Sequence, residues 1–261
     1  MSRFATVLGT RIDAVSEKEC VDTMIRWARR GEARYVCACN VHSVVSARRD
    51  PVFARVLAEA DLCVPDGAPV AWSLRRSGFR RQRRVAGPDI MWRCLERAAQ
   101  DRLPVFFYGA TQTTLAALTV RLRRELPELR IAGSFAPPFR RLTAEEDTLI
   151  IESIRRSGAR LVFVALGCPK QEAWMRSHRK ALPGVALGAG AAFEFLAGTQ
   201  ERAPHWLRAV GLEWAHRLWQ EPRRLWRRYF VTNTLFLAWT LRELLGARLP
   251  ALRAGRPGGK P

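Results

Sequence analysis

The chain has 261 residues, is 48% hydrophobic, and carries a formal net charge of +20 from 44 Lys and Arg against 24 Asp and Glu. This length suffices for one large domain or a domain with an appendage, and the apolar fraction excludes a chain too polar to build a core. Such a basic excess attracts any polyanion, so nucleic acid, an anionic membrane surface and phosphorylated substrates all stay open.

Two observations bear on the compartment. No run reaches the about 18 consecutive apolar residues of a membrane-spanning helix. Arg11 and Asp13 stand where a signal peptide needs its apolar core. We therefore expect a cytoplasmic protein. Its six cysteines fit that compartment, and Cys37 and Cys39, two residues apart in a strand-like run, are predicted to be core residues on one sheet face.

Strand-like and helix-like segments alternate along the first 200 residues. Strands are predicted at 34–39, 61–64, 105–108, 130–135, 161–166 and 185–187. Helices are predicted at 41–49, 51–60, 68–76, 90–100, 112–125, 144–156 and 169–180, two of them capped by Thr111 and Thr143. This alternation predicts an α/β fold, Rossmann-like, with a mostly parallel sheet and flanking helices.

In parallel α/β sheets, ligands bind outside the carboxyl ends of the strands. The predicted strand ends carry Asn40, Asp66, a glycine turn before Thr111, and the segments 167–172 and 188–194. We therefore expect one site along this edge. In "GCPKQE", Lys170, Gln171 and Glu172 begin a helix and are suited to grip a sugar, ribose or phosphate, although an ordinary surface helix start explains them equally well.

Two aspartates are candidate acids. Asp66 follows a strand and precedes a glycine, whereas Asp89 stands in "RVAGPDI" near a helix start, and capping alone accounts for either residue. No D-x-D motif is present, so a metal bridge to a nucleotide diphosphate has no evident holder. An enzyme that cleaves a sugar nucleotide without metal needs cations elsewhere, and the arginine-rich C-terminal segment offers them.

The composition changes after about residue 201. Residues 202–239 hold five of the nine tryptophans, and a basic helical segment runs into an apolar one after Pro222. This pattern is typical of interfacial helices, but an ordinary amphipathic helix packed on the core also has it. We predict an α/β core at 1–201, a helical appendage at 202–246 that associates with membrane, and a disordered tail at 247–261. The exposed tryptophans favour a homo-oligomer when no membrane is present.

Several segments in this order resemble the WecG/TagA/CpsF glycosyltransferases of bacteria. The resemblance runs from about Val7 to Tyr229, and its most specific part is the C-terminal signature. The segments are "YVCACNVHSVV", "VPDGAPVAW", "RVAGPDI", "VFFYGA", "VFVALGCPKQE", "GAGAAFEFLAG" and "ERAPHWLRAVGLEWAHRLWQEPRRLWRRY".

This resemblance implies an inverting glycosyltransferase. The donor would be a UDP-sugar, carrying N-acetylmannosamine or a related hexose or uronic acid, and the acceptor a polyprenyl-diphosphate-linked saccharide at the inner membrane face. Such reactions serve teichoic acid, capsule or exopolysaccharide synthesis. The resemblance also implies that the enzyme is peripheral on that membrane and needs no metal or other cofactor.

By position, the resemblance assigns the general base to Asp66 and places other residues near the substrates. Ala38 stands where many relatives carry threonine, and Glu194 where aspartate is common, so the exact sugar stays open. The implied substrate-binding residues are Asn40, Arg84, Gln171, Glu194, Arg217, Arg224 and Arg227. The strand-end argument adds Thr111 and Glu172, and the candidate acid Asp89 completes the set.

Without the family resemblance, the sequence is also compatible with two other functions. A nucleic-acid-binding α/β protein fits the charge and the Arg/Trp-rich end, but the sequence has no recognised nucleic-acid motif, and we expect no nucleic-acid partner. A nucleotide binder without transferase activity, such as a sugar-nucleotide sensor or epimerase, fits the glycine turns.

Overall fold

A computed structural model describes residues 3–246. Its strands are β1 Phe4–Val7, β2 Thr10–Asp13, β3 Arg34–Cys39, β4 Leu62–Pro65, β5 Val105–Gly109, β6 Ile131–Phe135, β7 Leu161–Ala165 and β8 Val185–Gly188. Its first nine helices are α1 Glu17–Arg30, α2 Val41–Arg49, α3 Pro51–Ala58, α4 Ala68–Arg76, α5 Gly87–Gln100, α6 Gln112–Glu125, α7 Ala144–Arg156, α8 Lys170–His178 and α9 Ala192–Ala197. Three more follow: α10 His205–Ala209, α11 Glu213–Gln220 and α12 Pro222–Gly246.

Six strands form one parallel sheet in the order β4-β3-β8-β7-β5-β6. The central strands are apolar throughout because helices cover both faces, as expected for a parallel sheet. One core packs α2, α3, α4 and α8 on one face, and a second packs α1, α5, α6 and α9 on the other. The predicted α/β, Rossmann-like class is confirmed.

The predicted strands and helices of the core are present, with boundaries shifted by up to three residues. The capping residues Thr111 and Thr143 accept the backbone N–H groups predicted for them. One segment differs: the helix predicted over 169–180 ends at His178, and a short 3₁₀ turn covers Arg179–Ala181. Cys37 and Cys39 are buried in the same core, which confirms that they share a sheet face.

An N-terminal β-hairpin was not predicted. β1 and β2 pair antiparallel through a two-residue turn in which Leu8 and Gly9 both have positive φ, 49° and 88°. The buried Asp13 accepts the backbone N–H of Cys63 at 2.8 Å. Because Cys63 lies on the edge strand β4, this contact attaches the hairpin to the side of the sheet.

The C-terminal helices pack beside the carboxyl ends of the strands. α12 lies along α2 and buries Leu225 and Phe236, while Arg48 on α2 pairs with Glu243 at 2.8 Å. As predicted, Pro222 separates two helical segments, α11 and α12. Among the helices that the structure describes, none combines the length and apolar character of a transmembrane span. The tail predicted at 247–261 lies outside the described residues.

Candidate active site

A cleft of about 1720 Å³ lies at the carboxyl ends of the strands, and α11 and α12 form its opposite wall. This volume exceeds the about 300–1,000 Å³ of a typical small-molecule pocket, so the cleft has room for two substrates. Nine of the eleven candidate residues line it: Asn40, Asp66, Arg84, Thr111, Gln171, Glu172, Glu194, Arg217 and Arg224.

Asn40 and Asp66 are neighbours because of the strand register. Cys39 on β3 lies opposite Pro65 on β4, and the Asp66 N–H donates to the Cys39 carbonyl at 3.0 Å. The chain then turns at Gly67, whose φ of 109° strongly favours glycine. Asn40 caps α2 by accepting the N–H of Ser43 at 3.2 Å through Oδ1.

The Asp66 carboxyl is poised to take a proton. Burial raises its pKa to about 6; the nearby Arg84 opposes this shift, and Glu213 adds to it. No residue within 3–246 donates a hydrogen bond to its side chain. At neutral pH the group is therefore mostly ionised, yet its affinity for a proton is higher than that of an exposed aspartate.

Gln171 and Glu172 present buried hydrogen-bond acceptors to the cleft. The two side chains are 5% and 1% exposed, and Gln171 Nε2 donates to Glu172 Oε1 at 2.9 Å. Gln171 Oε1 and Glu172 Oε2 have no partner among the described residues. Burial raises the pKa of Glu172. Because buried polar atoms are normally paired, these oxygens are expected to receive donors from a ligand, such as sugar or ribose hydroxyls.

Glu194 and Thr111 lie on the same side of the cleft as Asp66, Gln171 and Glu172, here named the strand-end wall. Glu194 lies on the first turn of α9 with Oε2 unpaired among the described residues, and burial raises its pKa while Arg217 and Arg224 lower it. Thr111 is exposed at the cleft margin, where its Oγ1 accepts the N–H of Thr114 at 3.1 Å. Gly109 precedes it with a φ of 115°, and a Cβ there would lie 2.4 Å from the Ala165 oxygen.

The opposite wall is cationic. Arg217 lies over the Phe195 ring at 5.6 Å, and Arg224 pairs with Glu221 at 2.9 Å. Arg228, one turn along α12, also lines the cleft, and burial lowers its pKa. The Nε atoms of Arg217 and Arg228 have no partner among the described residues. Guanidinium groups that converge on a concave surface are suited to bind a diphosphate.

Two candidates lie outside the cleft lining. Asp89 on α5 is held by both terminal nitrogens of Arg202, one at 2.8 Å from Asp89 Oδ2, so this carboxylate neither caps the helix nor faces the cleft. Arg227 is exposed on α12 beside the Trp226 ring, at 5.6 Å. Arg84 does line the cleft, but its guanidinium is engaged by Glu213, which also accepts from Arg202 Nε at 3.2 Å.

Arg228 is one cleft residue that the sequence reasoning missed. The buried positions Leu225, Thr232 and Phe236 mark the inner face of α12. Arg228 lies three residues after Leu225 and four before Thr232, which is the spacing of one helix face, whereas Arg227 is out of that phase. His42 was also passed over. It lines the cleft as a neutral imidazole, because burial and the charge of Arg228 lower its pKa to about 4.

A parallel sheet with a partly buried carboxylate at its strand ends, in a cleft also lined by several arginines, is suited to group transfer. The chain belongs to the WecG/TagA/CpsF family of glycosyl transferases, whose model matches residues 5–250. The implied family is therefore confirmed, and the protein is a glycosyltransferase.

Two curated relatives cover about three quarters of the chain. One, from Bacillus spizizenii, is 32% identical over 200 residues, which is 76% of this chain and 76% of the relative. The other, from Bacillus subtilis, is 31% identical over 194 residues, or 74% and 73%. Both are named N-acetylglucosaminyldiphosphoundecaprenol N-acetyl-beta-D-mannosaminyltransferase.

Proposed function

We propose that this enzyme transfers N-acetylmannosamine, or a related hexose or uronic acid, from a UDP-sugar to a polyprenyl-diphosphate-linked saccharide with inversion. The names of the two Bacillus relatives support the sugar and the lipid-linked acceptor. The observation that carries the proposal is the position of Asp66. This carboxylate has a raised pKa, lies beside Asn40, and is across the cleft from Arg217, Arg224 and Arg228, here named the arginine wall.

Asp66 acts as the general base. The acceptor hydroxyl gives its proton to the Asp66 carboxylate while its oxygen forms a bond to the anomeric carbon. The bond from that carbon to the UDP oxygen breaks on the opposite face, so the configuration inverts. Arg217, Arg224 and Arg228 stabilise the negative charge that develops on the leaving diphosphate.

Gln171 and Glu172 hold the donor by accepting its hydroxyl groups at their buried oxygens. We further propose that the reaction proceeds without a metal ion, with the arginine wall in its place. Turnover in the presence of EDTA at the rate measured in Mg²⁺ supports this proposal, and a requirement for a divalent cation contradicts it.

The appendage brings the enzyme to its lipid-borne acceptor. The exposed tryptophans and leucines of α10–α12 are suited to the acyl boundary of a membrane, with arginines at the phosphate level. We propose that the enzyme is peripheral on the inner membrane face, and that it self-associates through this apolar surface when no membrane is present.

The test is the substitution Asp66→Asn, assayed by UDP release with a UDP-sugar and a polyprenyl-diphosphate saccharide. We expect turnover to fall by about 10²–10⁴-fold, the usual contribution of a general base. Asp101→Asn at the end of α5, where the carboxylate pairs with Arg29 away from the cleft, is the matched control and keeps wild-type turnover. Wild-type turnover in the Asp66 variant would falsify the base assignment.

A further inference from the structure

A second basic surface lies beside the active site and, among the described residues, shares only Arg84 with it. Residues 75–84, here named the arginine loop, join the end of α4 to the start of α5 and contain six arginines. No Asp or Glu occurs between Asp66 and Asp89. Five of the six side chains are exposed: Arg75, Arg76, Arg80, Arg81 and Arg83.

The loop is held in a defined position. Phe79 packs against the core, and Gln82 Nε2 donates to the carbonyls of Val15 and Arg83, both at 2.7 Å. Within residues 3–246, Arg80, Arg81 and Arg83 have no salt-bridge partner. Three uncompensated cations are therefore presented together on a fixed backbone.

Carboxylates do face this loop, but other cations neutralise them. The loop and the start of α1 enclose a cleft of about 1170 Å³, whose lining includes four acidic residues. Glu19 pairs with Arg3, Asp22 with Lys18 and Arg97, and Glu17 and Glu96 both with Arg93. The charge that this cleft presents to a ligand is therefore that of the loop arginines.

The arginine loop is continuous with the exposed apolar surface of the appendage. The turn between α10 and α11 touches the start of α4, since a Cβ on Gly211 would lie 2.5 Å from that of Ala68. One turn further along α4, Trp72 is 37% exposed and carries Arg76 over its ring at 5.3 Å. Val210, beside that turn, is 64% exposed.

We propose that the arginine loop binds the phosphate headgroups of anionic membrane lipids, as an electrostatic contact separate from the appendage helices. Charge complementarity and continuity with the apolar surface favour a membrane over a soluble anion, because aromatic and arginine side chains together suit the interface. The inference rests on the proposed function, since a lipid-borne acceptor requires this face to meet the membrane.

The test is cosedimentation of the full chain with vesicles of phosphatidylcholine alone or mixed with phosphatidylglycerol. The test variant carries Arg80→Gln, Arg81→Gln and Arg83→Gln. We expect its affinity for the mixed vesicles to fall by on the order of 100-fold, or about fivefold for each arginine near an anionic surface. Its weaker binding to phosphatidylcholine stays at the wild-type level.

Two further variants isolate the cause. Arg123→Gln, Arg130→Gln and Arg155→Gln remove the same charge from exposed positions away from the cleft, and we expect binding to change by less than about threefold because salt screens distant charges. Replacing the three loop arginines by lysine keeps the charge and keeps most of the binding. Unchanged unfolding temperatures show that all the variants fold.

Several outcomes would overturn the inference. They are wild-type affinity of the glutamine loop variant for mixed vesicles, equal losses in both glutamine triples, and loop-dependent binding that favours single-stranded RNA over the vesicles at the same salt. Turnover with a short-chain, water-soluble acceptor reports on the proposed function separately. Loss of vesicle binding with that turnover intact supports the lipid contact, whereas a wild-type enzyme inactive on that acceptor counts against the function and not against the loop.

Discussion

The two walls of the active-site cleft are built in different ways. The strand-end wall carries Asp66, Gln171 and Glu172, whose backbone belongs to the sheet edge or to a helix that starts there. These side chains carry negative charge or accept hydrogen bonds, and burial raises the pKa of both Asp66 and Glu172. The opposite wall carries arginines on α11 and α12, of which Arg224 is exposed and Arg217 half-buried.

This difference separates two tasks of the enzyme. Groups that hold a proton or bind hydroxyls benefit from a fixed, poorly solvated position, because low polarity strengthens each interaction. Groups that neutralise a diphosphate can lie on helices with fewer contacts to the core, since an arginine keeps its charge in any environment. Under the proposed mechanism, the strand-end wall therefore sets which bonds form, and the helical wall stabilises the leaving group.

After Asp66→Asn, the largest effect is expected on the helical wall, from Arg228→Met. The cation lines the cleft and its Nε has no partner among the described residues, so its loss removes stabilisation of the leaving diphosphate. We expect kcat to fall by about 10²–10³-fold, as for other groups that stabilise developing charge. UDP release with the lipid acceptor measures the loss.

Arg227→Met is the matched control, one residue away on the same helix. Its side chain is exposed beside Trp226, so we expect turnover within about threefold of wild type. If Arg227→Met loses more activity than Arg228→Met, Arg227 and not Arg228 contacts the diphosphate. The family resemblance, which implies Arg227, would then have identified the correct arginine.

The next effect tests the strand-end wall through Glu172→Gln. The amide places an N–H₂ group where one of the two carboxylate oxygens would accept from the donor sugar, so the KM for the UDP-sugar should rise by about 10–100-fold, while kcat changes less. Because burial raises the pKa of Glu172, a neutral side chain suits this position and the unfolding temperature should not fall.

Glu152→Gln, on the exposed face of α7, is the control for this prediction. A Glu172→Gln variant with a wild-type KM but a lowered unfolding temperature would mean that the buried pair of Gln171 and Glu172 serves the fold and not the donor.

Most of the core could be predicted because its signals are local. The apolar run at 161–166 and the caps at Thr111 and Thr143 mark elements directly. The hairpin β1–β2 was not predicted, because its strands have four residues each and its turn, Leu8-Gly9, is not one of the common hairpin turn sequences. Helix α1 was also not predicted, although the sequence contains its full capping box, Ser16 with Glu19.

Only part of the site was predicted, because the local sequence does not show which distant residues pair in space. The strand-end rule predicted that Asn40, Asp66 and Gln171 lie at one edge, and all three line the cleft, since parallel strands bring their ends together. The local sequence around Asp89 could not show that this residue is paired, because its partner Arg202 is 113 residues away. This pair depends on how the segment that precedes α10 lies against α5.

A smaller effect concerns the pH dependence set by Asp66. As a base it must be ionised, so kcat/KM should rise with pH and level off above its pKa of about 6, with about a tenfold loss for each unit below that value. The folded-state pKa is raised above the usual value of 3.8, so protonation stabilises the fold, and this contribution is lost as pH rises from about 4 to 6.

Asp66→Asn should therefore be at least as stable as wild type at neutral pH, with the difference shrinking toward pH 4, where both side chains are uncharged. Unfolding temperatures of the two proteins across this range provide the measurement. A variant that is less stable than wild type at neutral pH would mean that the Asp66 carboxylate is stabilised by the arginine wall more than burial destabilises it.

The smallest effect tests how the two walls are joined. Arg202 links Asp89 on α5 to Glu213 on α11, and Glu213 in turn holds Arg84, so Arg202→Gln leaves two carboxylates with weakened partners. The groups are partly buried, and we expect the free energy of unfolding to fall by about 1–2 kcal/mol, between the values for surface and buried pairs. The same break in the exposed pair of Arg29 and Asp101, by Arg29→Gln, should lower it by less, because solvent screens an exposed pair. Hydrogen exchange distinguishes a local from a global effect: if the walls are joined through Arg202, exchange should quicken in α10 and α11 before it changes in β3 and β4. Equal changes in both regions would show that the helical wall unfolds together with the sheet, and the contrast between a fixed wall and a loosely held one would then be wrong.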